Sequence, residues 1–266
     1  MKTVLIIAGF DPSGGAGVLA DVKAVAAWGC YGAAAVTSLT FQNTRGVYGA
    51  AHQTAATLTA QLDPIFDDMA IDAVKTGMLP SSETIEATAD ALDRHGHGPV
   101  VVDPVVRATS GYDLVDDAAL EALVARLFPV ATLVTPNAVE AERITGRPVA
   151  THADMERAAR DLVRMGAAAA LVKGGHLDIG GLAVDVLYDG VSVHTFSEPR
   201  VDSTSTHGTG CTLASSIAAN LAVGRSLPVS VAGAKSYVTS AIRRAPGLGG
   251  GHGPLNHFYF LERLEA

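Results

Sequence analysis

The amino-acid sequence predicts an α/β protein, a three-layer α/β/α sandwich around a mostly parallel sheet. Three observations carry this. Short β-branched runs alternate with helix-patterned stretches along the chain, the pattern of βαβ units. The runs are largely apolar, as strands covered on both faces are. Glycine and polar residues collect just past them, where open parallel sheets gather their ligands.

The elements follow in order. TVLIIAG (3–9) reads as the first strand: its apolar run is only about five residues and ends in Gly and Asp, unlike a signal peptide. Residues 16–28 read as a helix, with Val18, Asp21, Val25 and Trp28 on one face. GAAAVTSLT (32–40) is a strand, followed by a helix at 54–69. AVKTG (73–77) and PVVVDP (99–104) are strands around a helix at 82–95. A helix at 117–128 leads to the strand ATLVTP (131–136), and helices at 137–145 and 152–166 lead to AALVKGG (169–175). AVDVLYD and VSVHTFS, joined at Asp189-Gly190, read as a hairpin. Two helices follow, near 210–223 and 228–244, the first marked by Leu213, Ile217 and Leu221 at four-residue intervals. The glycine-rich tail GLGGGHGPLNHF reads as a loop. No repeat or linker divides the chain, so residues 1–266 read as one domain.

Composition narrows the function. The chain is 48% hydrophobic and 17% charged, with a net charge of −8. That balance argues against a nucleic-acid partner, which needs a basic face. No apolar stretch approaches the roughly 20 residues of a membrane span. Cys30 and Cys211 have neither metal-ligand nor disulfide spacing, which points to a reducing, cytoplasmic setting.

Several positions carry candidate chemistry, each with a plainer alternative. HGTGCT (207–212) sets Gly208 and Gly210 around a helix start. Main-chain N–H groups there attract anions and suit a phosphoryl group in transfer, and the same helix start would lower the thiol pKa of Cys211. The alternative is a tight turn with a small buried cysteine. Asn137 and Glu140 stand as in a capping box, or near a magnesium ion. Asp103, ending a buried strand, needs a cation or is a turn residue before Pro104. Lys173, beside Gly174-Gly175, could reach a polyphosphate; Lys235 is either a second such cation or solvated. Asp21, on an apolar stripe, accepts hydrogen bonds from a buried ligand group or sits in an internal salt bridge. Gln42 offers one acceptor and two donors, matching a ring nitrogen beside an amino group. Met78 could cap a flat ring or belong to the core. Gly15-Ala-Gly17-Val-Leu-Ala20 imitates a dinucleotide fingerprint, but the acid expected about twenty residues on is missing.

Taken together, AGFDPSGGAGVLADVK, QNTRGV, KTGML, VVDPVV, TPNAVEA, VKGGH, THGTGCTLASSIAANLA and GHGPLNHF resemble the ribokinase-like superfamily. More closely, they resemble the hydroxymethylpyrimidine/phosphomethylpyrimidine kinases of thiamine biosynthesis. The stretches run from residue 8 to 258 in family order. The resemblance implies a kinase using ATP and Mg²⁺ on 4-amino-5-hydroxymethyl-2-methylpyrimidine and then on its monophosphate. It places Cys211 at the catalytic position, with Gly208, Thr209 and Gly210 as the anion hole. It also implies that Gly9, Asp21, Gln42, Met78, Val105 and Cys211 line the pyrimidine pocket. Asn137, Lys173 and Lys235 would serve ATP, and Asp103 and Glu140 the metal. A homodimer is implied by resemblance alone. The partner is a small molecule, with no nucleic acid and no membrane. Two alternatives stand beside this: a pyridoxal or pyridoxine kinase on the same scaffold, and a binding protein that keeps the pocket without the chemistry.

The chain departs from the family pattern at two places. After VVDPV the family commonly continues to Ala-Lys-Ser-Gly, whereas this chain has VRATSG, with Thr109 in the lysine position and Arg107 two residues earlier. The loop is expected to act as a lid. Phe41, before Gln42, is bulkier than the pattern expects and either narrows the pocket or packs in the core.

Overall fold

A computed structural model describes residues 1–106, 115–175, 177 and 180–264. Among these residues nine strands form one sheet: β1 (Thr3–Phe10), β2 (Tyr31–Asn43), β3 (Gly46–His52), β4 (Ala73–Thr76), β5 (Val100–Val102), β6 (Leu133–Val134), β7 (Ala170–Lys173), β8 (Leu182–Tyr188) and β9 (Val193–Pro199). Their order is β3-β2-β1-β4-β5-β6-β7-β8-β9. The six strands from β2 to β7 in that order pair in parallel. β3 at one end, and β8 and β9 at the other, are antiparallel additions.

Among the described residues eight α-helices cover the sheet: α1 (Gly17–Ala27), α2 (Ala55–Asp68), α3 (Ser82–His95), α4 (Asp117–Ala122), α5 (Ala138–Thr145), α6 (His152–Arg164), α7 (Thr209–Ala222) and α8 (Leu227–Arg243). Alternation along the strands assigns the two cores. Leu5, Ile7, Val100 and Val102 face α2 to α6. Val4, Ile6 and Val101 face α1, α7 and α8. This is the three-layer α/β/α arrangement that the alternating runs predict. None of the described helices is long and apolar enough to cross a membrane.

Most predicted elements are present, with three differences. β3 lies outside every predicted strand. Its GVYGAAH is small-residue-rich and lacks a β-branched stripe, so it has little strand propensity of its own. It pairs with an extended β2, and Gly49 leaves room for the Phe41 ring, which lies 3.1 Å from where a Cβ would stand. Phe41 is 55% exposed and neither narrows the cleft nor joins the core. The helix expected at 117–128 is regular only to Ala122. It continues as a wider π-type turn, Leu123–Leu127, and a tight turn at Phe128–Val130 that holds Pro129. β5 and β6 are shorter than expected, because the chain leaves the sheet at Asp103-Pro104 and before Pro136, which has no N–H to donate.

The chain runs from β1 outward to β2, then returns to place β4 on the other side of β1. That reversal opens a crevice at the carboxyl ends of β1 and β4, the position where open α/β sheets bind ligands.

Candidate active site

A cleft of about 910 Å³ lies over these strand ends. Thirteen of the fourteen predicted site residues line it: Gly9, Gln42, Met78, Asp103, Val105, Asn137, Glu140, Lys173, Gly208, Thr209, Gly210, Cys211 and Lys235. Asp21 does not. Thr109 and Arg107 lie outside the described residues.

The floor is the start of α7. Gly208 precedes it with φ +78°, and a Cβ there would collide with the Gly15 carbonyl oxygen. Only glycine fits this position. No side chain caps the helix, and Thr212 N–H is the first to return, to Gly208 O at 2.9 Å. Thr209 N–H is already taken by Thr206 O at 3.3 Å. The N–H groups of Gly208, Gly210 and Cys211 make no hydrogen bond to the described residues, so the open amides include two of the three expected positions, with Cys211 added and Thr209 engaged. Lys173 Nζ lies 3.1 Å from where a Gly210 Cβ would stand.

Cys211 corrects the expectation of a lowered thiol pKa. Burial pushes it up to about 11. Lys75 pulls it down, Asp21 and Asp103 push it further up, and the Gly17 N–H bond to the sulfur pulls it down again. The helix start does not overcome burial beside two carboxylates.

Asp21 is a second correction. Lys75 Nζ donates to its Oδ2 at 2.8 Å and the Ser215 hydroxyl to its Oδ1 at 2.7 Å. Both Asp21 and Lys75 are fully buried. The internal salt bridge, not a ligand, satisfies the carboxylate. Burial pushes the Asp21 carboxyl above its usual range against the pull of Lys75 and Ser215, and it acts to lower Lys75, which the Asp21 carboxylate nonetheless holds above the usual lysine range. Asp21 stands behind the cleft wall, and Lys75 is the member of the pair that lines it.

Two further lysine–aspartate pairs flank the floor. Lys173 Nζ lies 2.9 Å from Asp103 Oδ1, which also accepts from the Thr135 hydroxyl at 3.0 Å. Burial acts against the Asp103 charge, yet Lys173 and Lys75 hold its carboxyl below the usual range. Lys235 Nζ lies 2.7 Å from Asp185 Oδ2, and Asp185 Oδ1 accepts from Gly174 N–H at 3.1 Å. Asn137 and Glu140 form the reciprocal capping box: Glu140 N–H donates to Asn137 Oδ1 at 2.9 Å, and Asn137 N–H to Glu140 Oε2 at 2.8 Å. The capping and site readings of this pair thus coexist. Burial pushes the Glu140 carboxyl up to about 7, against Lys173 and with Asp103.

On the other side of the cleft, a register shift between Phe41 and Gln42 re-aims the end of β2. The Gln42 carboxamide makes no hydrogen bond to the described residues. Met78 packs its sulfur on Gly9, 3.3 Å from where a Cβ would be.

Sequence reasoning missed Asp11, Lys75, Asp185 and His207, all of which line the cleft. Lys75 had a signal: a lysine between Val74 and Thr76 in a strand buried on both faces needs a charged partner. Asp185, by contrast, read as an ordinary hairpin residue.

A family model described as phosphomethylpyrimidine kinase matches residues 11–256. The chain is 51% identical to the thiamine biosynthesis bifunctional protein ThiED of Geobacter sulfurreducens over 99% of its own length, and spans about half, 54%, of that relative. It is 46% identical to the hydroxymethylpyrimidine/phosphomethylpyrimidine kinase of Streptomyces coelicolor, covering 97% of this chain and 95% of that one. Among solved structures, the pyridoxal kinase of Staphylococcus aureus in complex with AMP-PCP and pyridoxal superposes with a TM-score of 0.89 at 32% identity, over 97% of this chain and 94% of that one. A phosphomethylpyrimidine kinase of Clostridium difficile does so with a TM-score of 0.81 at 37% identity, over 91% and 100%.

Proposed function

The chain belongs to the phosphomethylpyrimidine kinase family and is a phosphotransferase, and from that premise we propose the reaction it carries out. The γ-phosphoryl group of ATP passes to the hydroxymethyl oxygen of 4-amino-5-hydroxymethyl-2-methylpyrimidine, and a second transfer acts on the monophosphate, in thiamine biosynthesis. The observation that carries the reading is the mouth of α7: amides without acceptors among the described residues, at a helix start, with Cys211 and Lys173 on the floor of one cleft. Such donors stabilise the charge spread over a phosphoryl group in transfer.

The residues divide the work. Gly208 gives the turn its shape, Thr209 braces it through Thr206, and Gly210 and Cys211 present the amides. A thiol pushed up to about 11 is protonated at neutral pH, so Cys211 orients the alcohol in the resting enzyme. Gly9, Gln42, Met78 and Val105 receive the flat ring, with the Gln42 carboxamide on a ring nitrogen and its neighbouring amino group. Asp21 acts through Lys75. Asn137, Lys173 and Lys235 serve the nucleotide.

Mg²⁺ keeps several waters and takes only one or two carboxylates. The donor set fits: Asp103 Oδ2 accepts no hydrogen bond from the described residues, and Glu140 carries a charge that burial penalises and a cation would relieve. Asp103 and Glu140 would hold the ion, which when bound would neutralise phosphate charge.

We take residues 1–266 as one kinase unit, supported by the single nine-stranded sheet. We also propose a homodimer in the cytoplasm. The exposed Phe41 and Tyr48 on β2 and β3 favour the first, and the free cysteines Cys30 and Cys211 favour the second.

ADP release measured with the alcohol, the monophosphate and pyridoxal tests the reading. Turnover on the two pyrimidines supports it. Turnover on pyridoxal alone would favour the second reading, a vitamin B6 kinase, to which the Staphylococcus aureus superposition lends weight. Pyrimidine binding without ADP release would remove the transfer step.

A further inference from the structure

We propose that Asp11 and His207 are a positioning pair that locks the β1–α1 loop onto the first turn of α7, and so sets where Cys211 and the open amides stand. The inference rests on the phosphotransfer reading of the cleft.

Asp11 is 1% exposed, and its carboxylate takes four donors. Three come from its own loop: Ser13 N–H at 2.8 Å, Ser13 hydroxyl at 2.9 Å and Ala16 N–H at 2.9 Å. The fourth is His207 Nε2 at 2.8 Å, from 196 residues away. Burial works against the Asp11 charge, but these bonds hold its carboxyl down at about 2. The carboxylate is therefore a permanent acceptor at any pH where the protein works.

The two segments also fit by shape. A Cβ on Gly15 would collide with the His207 ring, and one on Gly208 with the Gly15 carbonyl. The His207 main chain is itself pinned, its N–H donating to Gly253 O at 3.1 Å. The turn that carries both the thiol and the amides thus meets the Asp11 loop across one joint. Gly17, at the end of the Asp11 loop, donates its N–H to the Cys211 sulfur. The amides of Gly210 and Cys211 belong to the turn that His207 begins. Releasing the joint lets the first turn of α7, with the thiol and the amides, shift against the β1–α1 side of the cleft, and displacements of about 1 Å can cost 100-fold in rate. His207 needs only an Nε2–H donor for this task, and a glutamine carboxamide N–H can supply one.

The test compares His207→Ala, His207→Gln and Asp11→Asn by steady-state ADP release and by iodoacetamide alkylation of Cys211, read by peptide mass. His207→Ala should lower kcat about 100-fold with KM for ATP within about twofold. It should also speed Cys211 alkylation about tenfold, as the loosened turn relieves the burial that holds the thiol protonated and lets the reagent in. His207→Gln should recover most of both. Asp11→Asn, which keeps the side-chain shape if His207→Ala fails to fold, should shift both readouts in the same direction, by about tenfold in kcat. A His207→Gln enzyme as slow as His207→Ala would overturn the proposal in favour of proton transfer by His207. Unchanged kcat and unchanged alkylation in His207→Ala or Asp11→Asn would overturn it outright. If the wild-type protein releases no ADP, the phosphotransfer reading fails, while the alkylation rates still judge the joint.

Discussion

Replacing Lys173 by methionine removes a cation from the floor of the cleft and strands its partner. Lys173 Nζ stands 2.9 Å from Asp103 Oδ1, Asp103 is 3% exposed, and the other described donor to that carboxylate is the Thr135 hydroxyl. Breaking a buried ion pair from one side costs about 3–5 kcal/mol, because the survivor keeps an uncompensated charge. Methionine is of similar volume, so a packing defect adds little. The pH dependence has a definite sign. In the native chain the Asp103 carboxyl is held below its unfolded value, so its contribution to stability is present above the unfolded carboxylate range and lost on acidification. Without Lys173, burial and the nearby Glu140 raise that carboxyl instead. The ionised form then carries the cost, and the deficit shrinks as falling pH protonates it. Urea unfolding of both proteins should show the full gap at pH 8 and a much smaller one at pH 5. The double variant Asp103→Asn/Lys173→Met should regain stability at pH 8 while turnover stays about 100- to 1,000-fold down, since the cation beside the Gly210 amide is still missing. A single variant as stable as wild type at pH 8, or a double variant less stable than the single one, would refute the reasoning.

Three other outcomes follow from the same geometry. Gly208→Ala should destabilise by clearly more than Gly146→Ala in urea titrations. Both glycines have positive φ, worth about 1–2 kcal/mol, but only at Gly208 does a Cβ meet backbone, and equal losses would discredit the interlock with Gly15. Iodoacetamide should modify Cys211 about tenfold faster for each pH unit through the range 7 to 10 in the ligand-free enzyme, as expected of a thiol near 11; a plateau below pH 8 would contradict that. Apparent Mg²⁺ affinity, measured through ADP release, should weaken as pH falls through about 7, because protons compete for a Glu140 carboxylate whose pKa is raised; a Glu140→Gln enzyme should lose most of that slope.

The sheet was legible because its information is local. Leu5 and Ile7 alternate with Val4 and Ile6, and the strand ends carry their polar residues within a few positions. The candidate cleft was legible for the same reason: DPSGGAG, TPNAVE and HGTGCT each sit at a strand end or a helix start. What could not be read was pairing over distance. Asp21 meets Lys75 and Ser215, which lie 54 and 194 residues away, and nothing local distinguishes that from a carboxylate waiting for a ligand. The thiol shift was misjudged because a helix start is visible in sequence, whereas the burial and the two carboxylates that outweigh it come from three other elements. β3 escaped because its order derives from β2 and not from its own residues.

On the proposed phosphotransfer reading, the three lysine–aspartate pairs described around the cleft account for how an acidic chain can prepare a site for an anion. Buried ion pairs add little stability of their own, so three around one cleft call for a reason beyond holding the fold. Unpaired, three lysines would repel one another and each would pay its desolvation alone. Paired, they leave the ligand-free cleft near neutrality while keeping the cations in place. Accessibility then separates their roles. Lys75 and Asp21 are sealed from solvent, so no phosphate can exchange with that pair, and its field acts on Cys211 from behind. The Lys173 side chain is 13% exposed and that of Lys235 8%. Both face the cleft, where a polyphosphate can share their remaining N–H donors without displacing Asp103 or Asp185. The net charge of −8 is therefore no obstacle, because the attraction works over a few ångströms inside the cleft, where solvent and salt screen it least.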